Sequence, residues 1–365
     1  MTPRYAFLMR SLSLCLLAWL VAQPSVAQLT TPVVSSYASV SERVGLTDIK
    51  ITYGRPAVNG RQIWGGVVPY GLSAPFPNFG SGNPFPWRAG ANENTTISFS
   101  DNVLIEGKPL AAGMYSLHMI PTETNWTVIF SRNATSWGSF FYDQREDALR
   151  VQVTPQAAPF EERLSYRFTG HDGNGKVVVA LNWAELQVPI RVEIDNLHET
   201  VIAHMRKELR NTAGFTWQGW AQAAGYGLQN NTHHEQALAW ADQALQRNRS
   251  FQTLNLKAGL LAQTGDAAGA EALKTEAVAF ANEAELNAYG YQLMGQNRTE
   301  EAFNIFKLNV ERHPASWNVH DSLAEAYLAK GDKKNARKLY QKALDMLPQA
   351  DQVNRARVQG ILSGM

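Results

Sequence analysis

The chain has 365 residues, 45% hydrophobic and 18% charged, with 33 Lys and Arg against 32 Asp and Glu. A single core stops growing at roughly 250–300 residues, so this length predicts two domains. The balanced charge argues against phosphate neutralisation, which needs a clustered basic face, so no nucleic-acid partner is expected, and it equally disfavours an acidic disordered tail.

At the N-terminus Arg4 and Arg10 precede an apolar run over residues 12–21, and Ser25 and Ala27 hold positions −3 and −1 before Gln28. This is the pattern of a secretory signal peptide over residues 1–27, and the run is shorter than the roughly 20 apolar residues a spanning helix needs. Cleavage there predicts an exported product, periplasmic or extracellular, with no membrane insertion after signal removal. It also removes Cys15, the only cysteine. Without a thiol the product has no disulfide, thiolate metal site or thiol nucleophile, and its stability must come from burial.

From about residue 35 to 195 the apolar pattern has period two. Ile49, Ile51 and Tyr53 alternate with polar neighbours, as do Val188, Ile190, Val192 and Ile194. Similar runs occur at 95–100, 114–120, 126–131, 149–153, 164–168 and 177–183, separated by turn residues such as Asp172-Gly-Asn-Gly175. About nine short strands at close spacing predict an antiparallel all-β sandwich or barrel over 35–195, and the sandwich is the fold class assigned.

Beyond Asp195 the period becomes helical. A connecting helix is expected within 196–216, four helix pairs over 217–350 and a C-terminal capping helix over 351–365. The pairs carry Ala237, Ala270, Ala302 and Ala336, spaced by 33, 32 and 34 residues. In the last two pairs the correspondence extends to Gly290 or Ala324, Phe306 or Tyr340, and Pro314 or Pro348. Gly265-Asp266 and Gly331-Asp332 sit at inter-helix turns, and the first pair fits through Gly225 and Ala237. These residues resemble the tetratricopeptide repeat, in which small residues allow close helix crossings and an aromatic fills the gap. The resemblance implies an all-α solenoid whose partner is a protein or peptide.

In the first half a series of phrases stands in fixed order: VGLTDIKITYGRP at 44–56, GRQIWG at 60–65, VPYG at 68–71, WRAGANEN at 87–94 and LAAGMYSL at 110–117. WTVIF at 126–130, Trp137-Gly138, Tyr142-Asp143 and ALRV at 148–151 continue it. Residues 35–195 thereby resemble the family known as domain of unknown function 2911. The resemblance implies an exported β-rich domain of Bacteroidetes and related bacteria, with no assigned activity, cofactor or catalytic residue. This chain departs from many members by an insertion at 72–86 (LSAPFPNFGSGNPFP), which Pro and Gly make a surface loop. Its Phe76, Phe79 and Phe85 either staple the loop to the sandwich or line a groove.

The candidate ligand-binding residues are Arg55, Trp87, Arg88, Asn92, Glu93 and His118. Arg88 could clamp a carboxylate or phosphate with paired donors, and Glu93 could accept a proton or a sugar hydroxyl. The competing reading ties Arg88 and Glu93 to the loop backbone. Arg55 and Arg61 could converge on the same spot, and His118 is a strand residue, as readily structural as catalytic. Asp143, Glu146, Glu161 and Glu162 leave a carboxylate pair open, while Trp64, Trp87, Trp126, Trp137 and Trp183 could form a carbohydrate platform or simply core. No metal and no cofactor are expected, because no ligand spacing or phosphate-binding motif occurs. The reading favoured is an exported binding or scaffold protein. The alternative is an envelope or polysaccharide-related enzyme with its site in the 72–94 loop.

Overall fold

The computed structural model describes residues 32–173 and 175–365, so the signal-peptide pattern at 1–27 lies outside the described residues. The chain divides between Leu197 and His198 into two compact units.

The first unit is antiparallel throughout. Its strands are β1 (Ser36–Val44), β2 (Thr47–Arg55), β3 (Thr96–Phe99), β4 (Val103–Ile105), β5 (Lys108–Leu110), β6 (Gly113–Ile120), β7 (Trp126–Ser131), β8 (Asp147–Val153), β9 (Gln156–Thr169) and β10 (Lys176–Ile194). They form a six-stranded sheet, β1-β2-β3-β6-β7-β8, and a four-stranded sheet, β5-β4-β10-β9. The period-two pattern explains the pairing of faces. Ile49, Ile51, Leu117, Met119 and Val128 from the larger sheet share one buried cluster with Val103, Ile105, Val179, Leu181 and Val192 from the smaller. Each such side chain contributes roughly 1.5–3 kcal/mol by leaving water. Two sheets enclosing one core make a sandwich, not a barrel.

Two features differ from the sequence expectation. The runs at 177–183 and 188–194 belong to the single strand β10, which continues through Ala184 (φ 51°) with register shifts on both sides. A bulge re-aims the strand there without ending it. The hairpin β4–β5 turns through Glu106 and Gly107, both left-handed (φ 49° and 77°). Its strands have three residues each, too few to show a period.

The described helices, which lie in the second unit save for Leu197 at the start of the first, are α1 (Leu197–Glu208), α2 (Trp217–Gln229), α3 (His234–Arg247), α4 (Phe251–Gln263), α5 (Ala267–Phe280), α6 (Glu283–Gly295), α7 (Thr299–Arg312), α8 (Trp317–Ala329), α9 (Lys333–Met346) and α10 (Gln352–Gly364). Helices α2 to α9 form four antiparallel hairpins of a tetratricopeptide-like solenoid. The Gly-Asp turns work as a pair: Gly265 and Gly331 take φ of 89° and 80°, and the following Asp266 and Asp332 cap the next helix through the amides of Gly269 and Asn335. Ala237, Ala270, Ala302 and Ala336 are buried at the crossings. A Cβ on Gly290 would lie 2.5 Å from the Phe306 ring, so the small residue and the aromatic are two halves of one contact.

The first hairpin corrects the repeat alignment. Its turn spans 230–233, one residue longer than the turns at 264–266, 296–298 and 330–332. In it the close approach is not at Gly225, which faces open space, but at Gly227, which lies on Ala237. The 32-residue spacing also has a structural cause. Only Ala281 and Asn282 join α5 to α6, against 248–250 and 313–316 at the flanking junctions. Buried apolar clusters join α1 to α4 and α6 to α10, and among the described residues no α5 side chain belongs to one.

Candidate functional site

The 87–94 segment is a turn pressed onto β2. Ala89 and Asn92 are left-handed (φ 51° and 64°). A Cβ on Gly54 would meet the Ala91 carbonyl oxygen at 2.1 Å, and one on Gly90 would meet Thr95 Oγ1 at 2.5 Å. The Trp87 amide and carbonyl pair with Met119, and its indole donates to Gly90 O (3.2 Å). Thr95 and Tyr166 hydroxyls both donate to Ala89 O. Five hydrogen bonds thus fix the backbone on either side of Arg88.

The guanidinium of Arg88 is half-buried over the rings of Phe140 (4.6 Å) and Trp137 (5.4 Å), and Nη1 donates to Asn92 O (2.5 Å). Burial holds it below its ordinary pKa. Phe140 is also the hub of the inserted loop, meeting Phe76, Phe79 and Phe85 at 5.7, 4.7 and 5.1 Å. The backbone pair Ser73–Phe85 and the bond from Ser81 N to Phe140 O complete the attachment. The three phenylalanines therefore staple the loop, with Phe85 buried and Phe76 and Phe79 half-exposed.

Below this layer His118 is buried on the outer face of the larger sheet, opposite Leu117 and Met119. The Ser116 hydroxyl donates to Asn133 O, so it can only accept from His118 Nε2–H (2.9 Å), leaving Nδ1 to accept from Ser139 (2.8 Å). Burial, and secondly the charge of Arg88, lower the imidazole pKa to about 4. A serine hydroxyl bonded to an imidazole has the connectivity of a nucleophile and its base. Here both side chains are almost wholly buried, and the cavity beside His118 measures only about 10 Å³. That volume suits one water and excludes a substrate acyl group.

The other candidates disperse. Arg55 Nε donates to Leu164 O, Arg61 to the carbonyls of Ala57 and Val58, and the two share no partner with Arg88. Asn92 Nδ2 donates to Ser35 O, while exposed Glu93 makes no hydrogen bond among the described residues. Asp143 pairs with Arg145, Glu146 with Asn133, Glu161 with Arg167 and Ser165, and Glu162 with the amide of Asn59. No two of these carboxylates share a partner. Trp64, Trp87, Trp126 and Trp183 form a mutual cluster of rings 4.9–6.2 Å apart and belong to the core, which removes them from a carbohydrate platform. Only Trp137 of the five is exposed.

One open concavity adjoins these features, and a second lies in the helical unit. A groove of about 500 Å³ runs between the inserted loop and the segment after Phe140, lined by Leu72, Asn83, Phe141, Tyr142, Asp143 and Arg150. Tyr142 donates to Asp147 and accepts from Arg150; burial and the neighbouring carboxylate raise its hydroxyl pKa. In the helical unit a cleft of about 450 Å³ opens where α5 meets α6 and α7, beside the shortest of the three inter-hairpin linkers. Val278, Tyr289, Leu293 and Ile305 give it an apolar lining, with Glu271, Lys274 and Glu301 at its rim. Sequence reading misses this cleft, although the 32-residue spacing marks its position.

Among the described residues no group of three or more His, Cys, Asp or Glu side chains is placed to hold a metal, and no helix is long and apolar enough to cross a membrane. No curated protein matches the chain. Solved structures similar to its helical part include YrrB, a TPR protein with an unusual peptide-binding site (16% identity, TM-score 0.29, 44% of this chain and 83% of that one). MamA (14%, 0.29, 40% and 85%) and pilF of Pseudomonas aeruginosa (20%, 0.29, 42% and 72%) are also similar. Residues 35–192 match the model of the family described as protein of unknown function (DUF2911), in agreement with the resemblance carried by the phrases between Val44 and Val151.

Proposed function

We propose that the chain is an exported scaffold protein, periplasmic or extracellular, whose helical repeats hold an apolar segment of a partner protein or peptide while its β domain recognises a separate ligand. The observation that carries the first half is the cleft between α5 and the α6–α7 hairpin. A solenoid normally closes each repeat on the next with a continuous core. This one leaves Tyr289, Val278 and Ile305 half-exposed at one junction, with room for a bulky side chain. Burying a leucine or phenylalanine there is worth roughly 1.5–3 kcal/mol, enough to anchor an extended segment. Export is supported by the pattern of residues 1–27 and by the absence of cysteine after it; N-terminal sequencing of the product should begin at Gln28.

The binding reading is tested by panning a phage-displayed random peptide library on the purified chain, with a Thr275→Trp variant as the counter-target. Thr275 is exposed on the wall of the cleft, so the indole fills it without entering the core. Enriched peptides should share a bulky apolar residue and lose about tenfold or more in affinity for the variant. Equal affinity for both proteins, or no enrichment, sinks the proposal.

A further inference from the structure

Arg88 occupies a slot built for its guanidinium and left without a counter-charge. It lies over the stacked rings of Phe140 and Trp137, and Nη1 is held by Asn92 O. A Cβ on Gly138 would stand 2.5 Å from Nη1 and 2.6 Å from Cζ, so a side chain at 138 would displace the guanidinium from this position. Nε and Nη2 make no hydrogen bond, and neither is a buried unpaired atom, so this edge reaches solvent. Among the described residues no Asp or Glu pairs with Arg88, whereas Arg145, Arg150, Arg167 and Arg191 each hold a carboxylate. Burial pulls its pKa down, and its positive field reaches His118, as expected for an uncompensated charge.

A desolvated cation costs free energy unless something pairs it. The open Nε–Nη2 edge is the planar fork that a carboxylate meets with two parallel hydrogen bonds. Beside it the Trp137 ring is 56% exposed, resting on Phe140 at 17° to its plane. We propose that Arg88 and Trp137 form a binding site for a small carboxylate-bearing ligand, the acid on the Nε–Nη2 edge and a ring body, such as a uronic acid sugar, against the indole. The proposal deepens the ligand-recognition half of the function proposed above and does not depend on the helical cleft.

The test is calorimetric titration of the purified chain with galacturonate, its uncharged methyl ester, benzoate and inorganic phosphate. Side-chain NMR follows the Arg88 Nε–H signal in parallel. Galacturonate should bind saturably and shift that signal, while the ester binds at least about tenfold more weakly, because bonds to a charged group are lost. Arg88→Gln should lose about tenfold or more, and Arg88→Lys should recover only part of it, since an ammonium has no fork. Should the Arg88 variants fail to fold, Trp137→Ala changes an exposed ring and should weaken galacturonate severalfold. Comparing galacturonate with benzoate separates a sugar body from an aromatic one, and saturable binding of either supports the site. Equal binding of acid and ester, tighter binding of phosphate than of either acid, undiminished binding by Arg88→Gln, or no carboxylate binding up to about 10 mM overturns it. A chain that captures apolar peptides yet ignores carboxylates would lose this inference and keep the repeat reading.

Discussion

Gly227 and Ala237 meet at backbone distance: a methyl on Gly227 would stand 2.5 Å from the Ala237 Cβ and 3.1 Å from the Thr232 carbonyl oxygen. The α2–α3 hairpin therefore closes on a glycine two residues beyond the one that the repeat spacing selects. Gly227→Ala should cost about 1–3 kcal/mol by overpacking, despite the roughly 1 kcal/mol that alanine gains in a helix interior. Gly225→Ala, which meets nothing within 4 Å, should keep that gain and raise stability by up to about 1 kcal/mol. Urea midpoints of the two variants decide the point; the opposite ordering would restore Gly225 as the contact residue.

His118 makes the β domain sensitive to acid. Its folded pKa is lowered to about 4 from an ordinary 6.5, first by burial and then by Arg88. The unfolded chain takes up the proton near pH 6.5 and the folded chain resists until about pH 4, so the stability is complete above 6.5 and falls progressively towards 4. The loss amounts to about 3 kcal/mol over that window. Unfolding of wild type and His118→Gln at pH 7 and pH 4.5 measures it as a difference. The variant should be less stable at pH 7 and show a flatter pH dependence; parallel profiles would mean that the imidazole is not the responsible group.

How much of this was legible depends on periodicity. Ile49, Ile51 and Tyr53 declare a strand because one face is buried, and Val188 to Ile194 do the same. The cover over Ser116 and His118 is invisible by that criterion, because the segment after Ser131 is irregular and repeats nothing. The WRAGANEN phrase points to Arg88, but its slot depends on Gly138 and Phe140, some fifty residues away in sequence. Nothing local connects them. The 32-residue spacing is visible as a number, while the cleft between α5 and the α6–α7 hairpin is visible only in the folded chain. The tryptophans mislead for a related reason: composition counts rings, and only packing separates core Trp126 and Trp183 from exposed Trp137.

Phe140 connects the inserted loop to the Arg88 slot. Removing its ring withdraws the contact shared by Phe76, Phe79 and Phe85 and uncovers one face of the guanidinium. Phe140→Ala should cost about 2–4 kcal/mol, near the low end for a phenylalanine because the residue is only half-buried. It should also speed native-state cleavage by chymotrypsin after Phe76 or Phe79 about tenfold or more, since local release of the loop no longer opposes that packing. Carboxylate binding should weaken in the same variant. Unchanged cleavage would show that the backbone pair Ser73–Phe85 alone retains the loop.

Helix α5 should be the least protected of the repeat helices. Stability in a stacked array comes from each hairpin and from its junctions with the neighbours. Only Ala270 and Ala277 of α5 are buried, and the cleft runs along the face beside them. Helix α8, by contrast, buries seven residues and is tied to α10 by Asp321 and Arg357 at 2.7 Å. Hydrogen exchange followed by mass spectrometry should therefore find residues 267–280 exchanging well before 317–329, through local opening at low free energy. A bound apolar peptide should slow exchange in α5 more than in α8, because its anchoring side chain supplies the core that this junction lacks. Equal protection of α5 and α8 in the free chain would mean that the alanine packing within the α4–α5 hairpin suffices, and that the cleft is rigid before any partner enters it.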